Sequence, residues 1–247
     1  MNMKSGFVVL FLSLKLFAGG FDLYETPSGK AARTLVFVHG GAWIGGDKLQ
    51  YKPLGQRISE RGFCAVIAGY SLAPKHRHPR PVLDLNNILK ELSRKKSMNC
   101  DFGKLYLVGH SAGAHTISFW ASKYRNANVH GFVGLEGIYD IPNIVKAFPD
   151  YTDWFINAEF GVKKNWEAAS PTRLKLLQRS PWLVVQSKKD ELVDGKQATD
   201  FKLSLEKQKI ENEILWLEKD LHFEVVKKLE KEDSELLKKI AEFVLKN

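Results

Sequence analysis

A serine hydroxyl attacks a carbonyl carbon at neutral pH only when a base takes its proton and a third group holds that base in one tautomer. Three segments of this chain carry residues of those types in a workable order. Gly109-His110-Ser111-Ala112-Gly113 is a Gly-x-Ser-x-Gly sequence, preceded by the apolar run 105–108 and followed by a small and apolar stretch over 114–124. A strand before it and a helix after it mark a sharp turn that lifts Ser111 Oγ above a sheet edge, making Ser111 the expected nucleophile. Trp182–Ser187 reads as a later strand, and the loop beyond it carries Asp190, Glu191 and Asp194. Asp190 is the expected acid; Glu191 and Asp194 compete, and Asp194 is better placed to cap the helix that begins at Lys196. His222 follows the last strand, 213–217, across a short loop and is the expected general base. His110 and His115 lie in the turn and its helix, while His76, His78 and His130 precede the acid and read as surface or loop residues.

The oxyanion needs donors as well. His39-Gly40-Gly41-Ala42-Trp43 follows a strand, and glycine there lets successive N–H groups converge. The amides of Gly41, Ala42 and Ala112 are the expected oxyanion hole, each such donor being worth about 3–4 kcal/mol in a transition state. A phosphate loop is the competing reading of a Gly-rich turn, but neither Gly-Lys-Ser/Thr nor Gly-x-Gly-x-x-Gly occurs. The chemistry needs no metal and no organic cofactor.

The elements that must position these groups alternate along the chain. Strands are expected at 34–38, 63–68, 105–108, Val129–Leu135, Trp182–Ser187 and 213–217. Helices are expected at Lys52–Glu60, 82–94, 114–124 and Lys196–Lys207. A terminal amphipathic helix carries Val225, Leu229, Leu236, Ile240 and Phe243 on its apolar side. Short apolar strands between helices predict an α/β fold with a mainly parallel sheet covered on both faces. About residues 138–178 the alternation breaks. Tyr139, Phe148, Tyr151, Trp154, Phe155, Phe160 and Trp166 there read either as an inserted helical cap or as satellite core.

At 247 residues the chain suffices for one α/β domain, and 44% hydrophobic with 26% charged residues excludes disordered and collagen-like classes. The net charge of +9 is interleaved with acids on the terminal helix, so it describes a solvated face and not a nucleic-acid groove. Cys64 reads as a small hydrophobe in a buried strand; neither it nor Cys100 has metal or redox spacing, and nothing recommends a disulfide. The apolar N-terminus has two readings. One is a hairpin pairing 12–17 with 21–25 through Ala18-Gly19-Gly20, which fits a cytoplasmic protein; the other is a secretory signal peptide over residues 1–20. The run is too short for a membrane span.

Together, His39-Gly40-Gly41-Ala42-Trp43, Gly109 to His115, Gly137-Ile138-Tyr139-Asp140, Lys188 to Leu192 and Leu221-His222 resemble the kynurenine formamidase (arylformamidase) family of α/β-hydrolases. Tyr70-Ser71-Leu72-Ala73-Pro74 is shared more widely with hormone-sensitive-lipase-like esterases. The resemblance runs from about residue 17 onward and departs at the apolar N-terminus. It implies an α/β-hydrolase fold and hydrolysis of N-formyl-L-kynurenine to L-kynurenine and formate in tryptophan degradation toward NAD. It also implies a small-molecule substrate and a homodimer. Trp43 and the aromatics of 138–178 would stack the substrate ring, and Arg77, Arg80 or Arg173 would hold its carboxylate. A short-acyl carboxylesterase and a non-catalytic binding module are the alternatives.

Overall fold

Seven short apolar strands form one sheet in the order β1-β3-β2-β4-β5-β6-β7. The structure is a computed structural model that describes residues 20–27 and 32–247. The strands are β1 (Phe21–Tyr24), β2 (Ala32–Val38), β3 (Cys64–Ala68), β4 (Cys100–His110), β5 (Val129–Leu135), β6 (Trp182–Ser187) and β7 (Asn212–Leu217). All neighbours from β3 to β7 pair in parallel, and β1 alone runs antiparallel, against β3. The strand expected over 21–25 is therefore present, with β3 as its partner. The rest of the hairpin, and the signal-peptide reading, concern residues outside those described.

Strand periodicity accounts for the two covered faces. Val36 and Val38 of β2, with Cys64, Val66 and Ala68 of β3, point into one core. Leu35, Phe37, Ala65 and Ile67 point into the other. The first core is closed by α2 (Arg80–Leu92), α3 (Ala112–Lys123) and α6 (Lys196–Lys207), which contribute Leu85, Ile117 and Phe201. The second is closed by α1 (Lys52–Glu60), α7 (Glu224–Leu229) and α8 (Glu235–Lys246), through Leu54, Val225 and Ile240. Burying each such side chain is worth about 1.5–3 kcal/mol. Between β5 and β6 lie α4 (Ile141–Ala147), a wide turn over Thr152–Ile156, and α5 (Asn157–Phe160), with short 3-10 turns beyond. Tyr139, Tyr151, Phe155, Phe160 and Trp166 from this stretch are buried in the first core, whereas Trp154 is 57% exposed.

Three expectations are corrected. The continuous terminal helix is broken into α7 and α8, because Ser234 takes an extended conformation and its hydroxyl caps Leu237 N at 3.0 Å, starting a new helix. Cys64 and Cys100 form a disulfide with Cα atoms 5.6 Å apart. They open β3 and β4, the strands on either side of β2, so the bridge straddles the start of β2. A separation of 36 residues gives no local signal of that proximity. α2 also starts two residues before its expected position, Pro81 being well suited to a first helical turn.

The double variant Cys64→Ala/Cys100→Ala is expected to lose about 3–4 kcal/mol of unfolding free energy, from the chain-entropy cost of opening a 36-residue loop. Urea denaturation beside the parent under non-reducing conditions measures this. An unchanged midpoint would show that the bridge adds nothing.

Candidate active site

The expected site residues all leave the same edge of the sheet, where the parallel strands end. Ser111 follows β4 with φ 54° and ψ −118°, a strained conformation for a residue bearing a Cβ. Its amide donates to Leu135 O at 2.9 Å, and its carbonyl accepts from the amides of Ala114 and His115, which begin α3. The flanking glycines permit the turn. A Cβ on Gly113 would lie 2.0 Å from Val38 O, and one on Gly109 2.5 Å from Gly113 O. That close approach of α3 to the end of β2 brings the following loop, residues 39–43, beside the serine: a Cβ on Gly40 would stand 3.1 Å from Ser111 Cβ.

Gly41, Ala42 and Trp43 of this loop all have positive φ, at 116°, 53° and 59°. Gly41 O is bonded by the amides of Ile44 and Gly45. The amides of Gly41, Ala42 and Ala112 have no acceptor among the hydrogen bonds of the described residues. His39 is a scaffold for the loop: it stacks on Tyr70, its Nδ1 contacts Gly40 O at 2.7 Å, and burial lowers its pKa. Tyr70 donates its hydroxyl to His39 O at 3.1 Å.

Of the three candidate acids, Asp190 is the one that reaches the imidazole. His222 Nδ1 and Asp190 Oδ2 are 2.9 Å apart, both side chains being buried. Burial alone would raise the Asp190 carboxyl, but the hydrogen bond from His222 and further donors hold it down at about 2. A carboxylate in that state only accepts, so Nδ1 carries the proton and Nε2 is left as the basic nitrogen. Asp190 Oδ1 also accepts from the amides of Leu192 and Val193, each at 2.9 Å. Glu191 instead takes the amide of His222 at 3.0 Å, and Asp194 caps Lys196 N at 3.0 Å. Ser111 Oγ has no hydrogen-bond partner among the described residues; His110, beside it, packs its ring 4.7 Å from that of His222.

His110 and His115 serve as buried neutral spacers. Burial first, then the neighbouring His222, pushes the His110 pKa to about 3, and its Nε2 contacts His222 O at 3.1 Å. Burial takes His115 to about 4, with its Nε2 on Ala169 O. His78 lies in a loop, as expected, and is half-buried, its ring packing against those of Phe119 and His115.

Residues 21–205 match the protein-family model described as BD-FAE. The chain belongs to that family. A kynurenine formamidase of Meyerozyma guilliermondii is 26% identical over 193 residues, covering 71% of this chain and 71% of its own length. The esterase LipQ of Mycobacterium tuberculosis is 26% identical over 208 residues, 74% of this chain and 49% of its own. An esterase from the archaeon Pyrobaculum calidifontis superposes with a TM-score of 0.76 at 21% identity, over 91% of this chain and 80% of that one. The α/β-hydrolase fold and the resemblance to kynurenine formamidases are thereby shown, and this BD-FAE member is an α/β-hydrolase.

Two further groups at the BD-FAE site were not legible as site residues. Glu136, directly after β5, is fully buried with φ 48°, and Gln186 at the end of β6 donates to it at 2.6 Å. A lone glutamate after an apolar strand, on the edge that carries Ser111, is the signal that would have found it. Glu136, Asp190 and His222 offer ligand atoms within 4.8 Å of one another, the one cluster of the described residues with metal-holding geometry. Donors already serve those same carboxylates: Gln186 Nε2, Ser187 N and His222 Nδ1. Among the candidate arginines, Arg80 is paired with Asp84 and Arg173 with Asp140 and Glu167, while Arg77 has no ion pair among the described residues. No described helix is long and apolar enough to cross a membrane.

Glu159 of α5 is 1% exposed, and neither of its carboxylate oxygens has a hydrogen-bond partner among the described residues. Burial, partly opposed by Arg77, pushes it up to about 8. A carboxyl raised in the folded state loses its contribution as pH climbs from the unfolded value through the folded one. Glu159→Gln is therefore expected to gain several degrees of Tm over the parent between about pH 5 and pH 8, followed by thermal melts. A gap that does not change with pH would mean the carboxyl is solvated.

Proposed function

We propose that this protein hydrolyses N-formyl-L-kynurenine to L-kynurenine and formate, in tryptophan degradation, through a formyl-enzyme on Ser111. The observation that carries the reading is the buried His222–Asp190 hydrogen bond on the sheet edge that also bears Ser111, with open amides alongside. The formyl substrate is supported by the similarity to a kynurenine formamidase over 71% of both chains.

In this reading His222 Nε2 takes the Ser111 proton as Oγ attacks the formyl carbon. The oxyanion is received by the amides of Gly41, Ala42 and Ala112, whose donors are free to point at it. His222, held by Asp190, then protonates the departing arylamine. Water attacks the formyl ester by the same proton path in reverse, and formate leaves. Residues 138–178 act as a cap over this edge, with Trp43 edge-on to Phe160 and His115 as part of its floor. Arg77 is the arginine free to take the substrate carboxylate.

A short-acyl ester is the second substrate class, favoured by the equal identity to esterase LipQ. Steady-state rates on N-formylkynurenine and p-nitrophenyl acetate separate the two. The expected result is a kcat/KM for the formamide well above that for the ester. Ester turnover without deformylation would assign the site to esters. Ser111→Ala is expected to fold normally and lose about 10⁴- to 10⁶-fold in kcat/KM on either substrate. Retained activity in that variant would remove Ser111 from the mechanism.

A further inference from the structure

The acid corner behind His222 holds two carboxyls, and only one of them is accounted for by the relay. Glu136 accepts from Ser187 N at 2.9 and 3.2 Å and from Gln186 Nε2 at 2.6 Å. The same Gln186 nitrogen lies 3.3 Å from Asp190 Oδ2, so one amide bridges both acids. Asp190 and His222 face Glu136 across the corner, Asp220 approaches from the β7 loop, and the Tyr139 hydroxyl lies on the remaining side. Lys228 is paired with Asp220; neither Glu136 nor Asp190 has a lysine or arginine partner among the described residues.

Two carboxylates sharing a buried corner without a fixed cation do not both ionise. The donors decide which one keeps the charge. Both carboxyls are buried and both take amide donors, Ser187 N and Gln186 Nε2 on Glu136, Leu192 N and Val193 N on Asp190, but Asp190 alone also takes the imidazole N–H. Burial first, and then the hydrogen bond it shares with Asp190, pushes Glu136 up to about 10, so the proton resides there at neutral pH.

We propose that Glu136 is a positioning residue: as a neutral carboxylic acid it donates a hydrogen bond to the Asp190 carboxylate and so holds that carboxylate against His222 Nδ1. The inference rests on the reading of Asp190 and His222 as acid and base. Its consequence is a corner with a single negative charge. A second ionised carboxyl would hold the imidazolium too tightly for proton return, and a missing donor would let Asp190 turn away from the ring. The positive φ at Glu136 is the backbone cost of aiming this side chain back across the ends of β5 and β6.

The test compares Glu136→Gln and Glu136→Leu with the parent. Glutamine keeps an N–H donor without a charge; leucine keeps bulk and removes the donor. Glu136→Leu is expected to lower kcat by about 10- to 100-fold with little change in KM, as a displaced relay does. Glu136→Gln is expected to restore most of that rate with the parent's pH profile. Infrared difference spectra at pH 7 are expected to show a protonated carboxyl band in the parent that Glu136→Gln lacks. A glutamine variant as slow as the leucine one, or no such band, would overturn the proposal. So would full kcat in Glu136→Leu. If Glu136→Leu does not fold, the band and the kcat of Glu136→Gln decide alone. The infrared band needs no turnover, so it can stand even if Ser111→Ala retains activity and the relay itself fails.

Discussion

The contact on which the site depends is backbone against backbone. The first turn of α3 presses so closely on the end of β2 that no side chain fits at Gly113, where Val38 O occupies the space a Cβ would need. This approach places Ser111 in its strained conformation and sets the loop of Gly40 and Gly41 beside it. The strain is held by ordinary groups: the Ser111 amide on Leu135 O, two helix amides on its carbonyl, and buried apolar neighbours on both sides. Packed interiors do not deform continuously, so a rigid sheet under the turn sustains a conformation the residue would not adopt alone.

Charge is handled by a second arrangement on the same edge. Burial keeps His39, His78, His110 and His115 neutral, so a belt of imidazoles surrounds the site as polar spacers and not as cations. His110 uses its ring nitrogen on the His222 carbonyl, bracing the loop that carries His222. Negative charge is gathered on Asp190, where three donors converge. The low dielectric that makes an unpaired buried group costly also makes this pairing strong.

Much of the scaffold was readable from local pattern. Four element boundaries, those of α1, β5, β6 and α6, match the expected ones because apolar periodicity and flanking polar residues report short-range preferences directly. The meeting of Asp190 with His222 followed from chain order, since parallel strands deliver their following loops to one edge. The break between α7 and α8 was hidden because the apolar spacing from Val225 to Phe243 reads as one helix, although Asp233 and Ser234 are residues that favour a cap over a helix interior.

By itself the sequence determined a parallel α/β architecture, the Gly-x-Ser-x-Gly turn and the residue types available to a nucleophile, base and acid. Each of these is written in contiguous residues or in order along the chain. Only the tertiary structure decided that Cys64 and Cys100 bridge across β2, and that most aromatics of residues 138–178 lie in the core. It alone showed Glu136 sharing a corner with Asp190. Those are meetings between segments tens of residues apart, governed by strand order and packing, and no neighbouring residue in the chain announces them.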